Sequence, residues 1–115
     1  MGTSIELTTS DGHTLGAYKA TPDGNPKGGV VVIQEIFGVN QHIKNVTDEF
    51  AKNGFVAVAP ALFDRTEKGL ELGYGQDDFQ KGKETRGSLN DEGIQNDVQA
   101  AIDEAAKAGK VGIVG

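Results

Sequence analysis

The chain contains no cysteine, which removes disulfides, thiolate metal sites and sulfur nucleophiles together. It has no surplus of positive charge either. Eleven Lys and Arg stand against 17 Asp and Glu, a formal net charge of −6, and no Lys/Arg cluster appears. Nucleic-acid backbones are held by clustered cations, so no nucleic-acid partner is expected. No apolar run approaches the roughly 20 residues that cross a bilayer as a helix, and no membrane partner is expected. The opening MGTSIELTTS lacks a basic segment followed by an apolar one, so it does not read as a secretory signal. Glu6 stands where a myristoylation signal requires Ser or Thr. Repeats and low-complexity segments are also missing. These absences point to a soluble, cytoplasmic domain.

What is present suits a single domain. At 115 residues the chain can bury a real core, although 37% apolar residues and 17 Gly imply a modest core and many loops. The stretch GGVVVIQEIFGVN, Gly28 to Asn40, organises the rest. Val30, Val31, Val32 and Ile33 are β-branched throughout, as in a strand buried on both faces of a parallel sheet. Gln34 and Glu35 follow at its carboxyl end, where open α/β sheets keep their chemistry.

The flanking segments fit the same plan. Ser4–Thr9 and Thr14–Ala20 read as two strands around Asp11-Gly12, a hairpin signal. Asn40 reads as the N-cap of a helix over Gln41–Asn53, with a stripe of Ile43, Val46, Phe50 and Ala51 and a left-handed terminator at Gly54. Phe55–Ala59 reads as a second buried strand stopped by Pro60, completing a βαβ unit. Ala61–Asn90 has little periodicity. It reads as a loop to about Gly75, then a short helix over about Gln76–Arg86. Asp91–Ala108 reads as a helix with a stripe of Ile94, Val98, Ala101, Ile102 and Ala105, ended by Gly109. KVGIVG, residues 110–115, begins one more buried parallel strand. If Gly115 is the true end, the strand through Val111, Ile113 and Val114 exposes an apolar edge of the kind sheets normally cover; otherwise a further segment completes the sheet.

These segments resemble the N-terminal half of the dienelactone hydrolase (carboxymethylenebutenolidase) family, of the α/β-hydrolase fold. The match rests on QEIFGVN at 34–40, GFVAVAPALF at 54–63, DRTEKGLELGY at 64–74 and GKVGIVG at 109–115. The resemblance implies an incomplete α/β-hydrolase fold, a mostly parallel sheet that begins with an antiparallel hairpin. Residues 1–115 would then be the N-terminal part of one domain, ending at the start of the nucleophile elbow. In the family the elbow carries a cysteine, with the triad Asp and His much later. The resemblance therefore implies an ester or lactone hydrolase working through a cysteine acyl-enzyme on small carboxylated substrates. No metal or organic cofactor is implied, and no turnover is expected from this chain alone.

Two family site positions are matched. Glu35 corresponds to a glutamate that contacts the resting thiol and helps form the thiolate. Ile36 corresponds to the residue whose backbone N–H is one oxyanion donor. The family also grips the substrate carboxylate with arginines. Lys81, Lys83 and Arg86 lie in the right region for that task, and none matches cleanly. Taken without the family, Glu35 is most simply a solvated carboxylate at a strand end, and a strand-end N–H often bonds only water. His13 and His42 have neither metal-ligand nor triad spacing and read as surface residues. Ser4, Ser10 and Ser88 lie in no nucleophile-elbow pattern. Gly73-Tyr74-Gly75 lacks the strand and third Gly of a dinucleotide fingerprint. Two other accounts stand beside the hydrolase: a self-contained flavodoxin-like binding module, and a homo-oligomer in which a second copy covers Val111–Val114.

Overall fold

The computed structural model describes residues 2–115. An antiparallel hairpin, β1 (Thr3–Thr8) and β2 (Thr14–Ala20), is followed by β3 (Gly28–Val32), α1 (Gln41–Lys52) and β4 (Phe55–Pro60). Then come α2 (Gln76–Gly87), α3 (Asp91–Ala105) and β5 (Val111–Val114). The five strands form one sheet in the order β1-β2-β4-β3-β5. Pairing is antiparallel for β1–β2 and β2–β4, and parallel for β3–β4 and β3–β5.

β3 is buried at every position, as its unbroken β-branched run requires. It starts two residues earlier than that run, at Gly28 and Gly29. A side chain on Gly29 would overlap the Ala105 carbonyl and lie 2.9 Å from the Ala105 Cβ, so glycine here lets α3 lie directly on the strand. α1 covers the opposite face through Val30, Val32, Ile43 and Ala59. Leu15, Val31, Val58, Ala100, Ala101 and Ala105 fill the α3 side. The Asn40 cap forms as expected, its Oδ1 accepting from the Ile43 N–H at 3.2 Å, and Gly54 has φ 101°.

Three expectations need correction. Pro60 is the last residue of β4, facing Ala17 across the ladder, because a strand end tolerates the missing donor. The segment after it includes a 3₁₀ turn over Leu62–Arg65 with Leu62 and Phe63 buried. α3 ends at Ala105, with Ala106–Ala108 forming a 3₁₀ turn. Its buried face is Gly93, Asp97, Ala100, Ala101 and Ala105, while Ile94 and Val98 are only half-buried. The stripe is rotated because Asp97, a charged residue, points inward to pair with Arg65.

Polar contacts tie the layers together. Lys19 Nζ on β2 meets Glu104 Oε2 on α3 at 2.6 Å, and Lys107 reaches the other Glu104 oxygen at 2.9 Å. The hydrogen bond from Lys19, helped by that from Lys107, holds the Glu104 carboxyl below its ordinary value of 4.5. A carboxyl depressed on folding stabilises the fold above its unfolded value, and that contribution fades as pH falls through the folded one. Glu104→Gln is therefore expected to lose about 1 kcal/mol at pH 7 and nothing relative to wild type once the Glu104 carboxyl is protonated in both the folded and the unfolded chain in acid. Urea titrations at several pH values check this; a gap that persists in acid would contradict it.

β5 is parallel as expected but not buried. It pairs with β3 on one side only, none of its residues is fully buried, and Ile113 is 53% exposed, because no second neighbour covers that edge. Among the described residues no helix is long and apolar enough to cross a membrane.

Candidate functional site

The chain turns sharply where β3 ends. Gly38 N–H donates to the Glu35 carbonyl at 3.3 Å, and Gly38 closes the turn with φ 80°, a conformation that suits glycine. A side chain there would also overlap the Leu70 carbonyl. Leu72 N–H donates to the Phe37 carbonyl at 2.8 Å, so the weakly periodic segment after β4 returns to brace this turn. Gln34 braces it from the other side. Its Oε1 accepts from the Leu62 N–H at 2.9 Å and its Nε2 donates to the Glu35 carbonyl at 3.0 Å. Asn40, beyond capping α1, donates to the Leu72 carbonyl at 3.4 Å and to the Tyr74 hydroxyl at 3.2 Å.

A crevice of about 260 Å³ opens at this point. Ile33, Gln34, Glu35 and Ile36 supply one wall, Leu62 and Phe63 the floor, and Arg86, Leu89 and Ile94 the far side. It lies beyond the carboxyl tip of β3, the place that strand topology assigns to chemistry. A larger groove of about 570 Å³ runs along α1 from His42 to Asn53. It is lined by one helix alone and brings no groups together from different elements, so the strand-tip crevice is the better candidate.

The crevice unites Glu35, Ile36 and Arg86. Glu35 is exposed. The Ile36 N–H donates to no acceptor among the described residues. Arg86 has no carboxylate within ion-pair distance among them. The two lysines considered with it lie outside the crevice lining. Lys81 is paired with Glu67 at 3.2 Å, and Lys83 lies over the Phe79 ring at 5.3 Å. Lys81 precedes Arg86 by five residues, so α2 turns it toward another face. Lys83, three residues before Arg86, shares its side of the helix but is drawn to the Phe79 ring.

Sequence reasoning did not single out Gln34 or Phe37. The Phe37 ring packs edge-on against Tyr74 with centroids 4.7 Å apart, and Phe79 lies 6.5 Å away. Tyr74 and Phe79 are largely exposed, and none of these three rings lines the crevice. His42 is exposed and His13 half-buried. No group of His, Asp and Glu among the described residues is arranged to hold a metal. The crevice thus offers a backbone donor, a cation and a carboxylate beside apolar walls. It can hold an anionic substrate and polarise a carbonyl, and no side chain lining it is placed as a nucleophile.

Comparison with known proteins agrees with this geometry. The model of the dienelactone hydrolase family matches residues 15–115. The carboxymethylenebutenolidase of Pseudomonas putida is 34% identical over 117 residues, covering 96% of this chain and 49% of the enzyme. A Synechocystis relative provisionally named for the same activity is 41% identical over 91 residues, covering 75% of this chain and 37% of that protein. Among solved structures, a Klebsiella pneumoniae protein provisionally named a dienelactone hydrolase superposes with TM-score 0.76 at 29% identity. That superposition covers 98% of this chain and 49% of the other. The chain spans half or less of the length of each.

Proposed function

This chain belongs to the dienelactone hydrolase family, and from that premise we propose that it is the N-terminal part of an ester or lactone hydrolase acting on small carboxylated substrates. The observation that carries the reading is the uncommitted Ile36 N–H beside Glu35 and an unpaired Arg86 in one strand-tip crevice. In the assembled enzyme a cysteine on the elbow after β5 attacks the substrate carbonyl. Ile36 N–H and a second amide from the elbow hold the oxyanion, and water then releases the acyl group. Glu35, covered by the second half of the protein, contacts the thiol and favours the thiolate. Arg86 pairs with the substrate carboxylate, a task for which a guanidinium fork is well suited.

The chain alone supplies the binding half of this chemistry. A small carboxylated lactone added to it is expected to shift the NMR amide signals of Gln34, Ile36, Arg86 and Leu89 with a Kd in the roughly millimolar range. Arg86→Gln is expected to abolish the effect. The same sample should leave activated esters at their buffer rate, and iodoacetamide should add no mass. Shifts centred on the α1 groove, or enzyme-like ester turnover, would overturn the reading. The open edge of β5 favours a second account, self-association through Val111–Val114. Sedimentation separates the two, since a dimer lost on Ile113→Lys supports that pairing and a monomer removes it.

A further inference from the structure

We infer that Gly82, in the middle of α2, is a positioning residue that fixes the Ile36–Phe37 peptide plane, the one that follows the Ile36 amide. The inference rests on the reading of Ile36 N–H as an oxyanion donor and adds the contact that keeps the turn around it from relaxing. α2 is a polar helix whose buried residues are Gly82 and Thr85, and it makes at most marginal contact with any strand or other helix. Thr85 spends its hydroxyl within the helix, donating to the Lys81 carbonyl at 2.8 Å. Gly82, in contrast, lies against the loop. A Cβ built on it would overlap the Ile36 carbonyl oxygen and lie 3.1 Å from the carbonyl carbon and 3.3 Å from the Ile36 Cβ.

Glycine inside a helix is destabilising relative to alanine, so its position here calls for a compensating contact. Gly87, at the end of the same helix, has nothing within 4 Å of a built Cβ. The Ile36 contact completes a pattern. The Glu35 carbonyl accepts from Gln34 Nε2 and Gly38 N–H, and the Phe37 carbonyl accepts from Leu72 N–H. The Ile36 carbonyl between them faces Gly82 so closely that no side chain fits there. Two of three successive carbonyls are hydrogen-bonded and the third is confined by packing, while the Ile36 N–H donates to nothing among the described residues. Because the Glu35 carbonyl and the Ile36 N–H share one rigid peptide plane and point in opposite directions, holding the first aims the second. Gly82 blocks the next plane from swinging about Ile36. Any side chain at position 82 must push α2 away from the loop or turn that plane.

The test uses Gly82→Ala in the whole chain, with Gly87→Ala as control, read by NMR and amide exchange. In Gly82→Ala the Ile36 and Phe37 signals are expected to move and Leu72 amide exchange to accelerate by roughly tenfold or more, with Val31 and Val58 within about twofold of wild type. Gly87→Ala should reproduce the wild-type spectrum at Ile36. A folded Gly82→Ala with unchanged Ile36 signal and Leu72 exchange overturns the inference. Should Gly82→Ala unfold throughout, exchange in the wild-type chain decides. The Leu72 amide must open together with the α2 amides; opening with the sheet instead overturns the inference. No substrate enters these measurements, so they stand or fall separately from the lactone titration that tests the hydrolase reading.

Discussion

Arg65→Met is expected to destabilise the fold by about 3–5 kcal/mol, because it strands a buried carboxylate. Asp97 has no exposed surface. Its two oxygens accept from Arg65 Nε and Nη2, each at 2.9 Å, a bidentate pair of the strongest kind. The hydrogen bond to Asp97 is the largest influence holding the guanidinium pKa above its ordinary value. Gly93 makes the pairing possible: a Cβ there would lie 3.0 Å from both the Cδ and the Nε of Arg65. Against a domain stability of about 5–15 kcal/mol, the loss is a large share and corresponds to a drop of roughly 15 °C in Tm. Arg65→Met combined with Asp97→Leu is expected to recover most of it, since burying neither charge avoids the desolvation cost. Asp11, the other carboxylate on Arg65 at 3.1 Å, is exposed, and Asp11→Asn should change stability by less than about 0.5 kcal/mol. Urea unfolding followed by circular dichroism measures all three. An Arg65→Met loss below about 1 kcal/mol would mean that the pair does not hold α3 to the 3₁₀ turn.

The largest catalytic effect is expected at Ile36. Joining residues 1–115 to the C-terminal half of the Pseudomonas putida enzyme, of which this chain covers 49%, should give hydrolysis that iodoacetamide abolishes. Within that hybrid, Ile36→Pro is expected to lower kcat by roughly 10²–10³, about 3–4 kcal/mol of oxyanion stabilisation. The stability cost should be small, because the N–H removed donates to nothing among the described residues. Ile36→Ala keeps the N–H and should stay within roughly threefold of the parent. Initial rates under saturating substrate decide the matter; an Ile36→Pro hybrid as fast as Ile36→Ala would remove this amide from the mechanism.

The parts of this molecule that follow from repeating patterns were readable in advance. Val30–Val32, the Asp11-Gly12 hairpin, the Asn40 cap and the αL glycine at 54 each depend on neighbours in sequence, and each formed where expected. The misplaced features depend on partners far along the chain. Asp97 looks like a solvent-facing residue until Arg65, 32 residues away, gives it a reason to turn inward. Pro60 looks like a stop because its tolerance at a strand end is set by the opposing strand. The same holds at the site. Glu35 and Ile36 were found through a contiguous motif, while Gln34 and Gly82 matter through contacts with residues 62 and 36 that no local window contains. Choosing Arg86 over Lys81 and Lys83 needed the partners of the two lysines, Glu67 and the Phe79 ring, which a weakly amphipathic helix does not reveal.

The strand order has a consequence for how such a protein comes off the ribosome. β1, β2, β4, β3 and β5 each pair with at least one other of the five, so this sheet can zip up before anything later is made, with β5 left open on one side. In the longer enzyme proposed above, β5 would then be a growth front, presenting a row of backbone groups to whatever emerges next. The hazard is one of timing. Until that edge is occupied, adjacent nascent chains on the same message would compete for it.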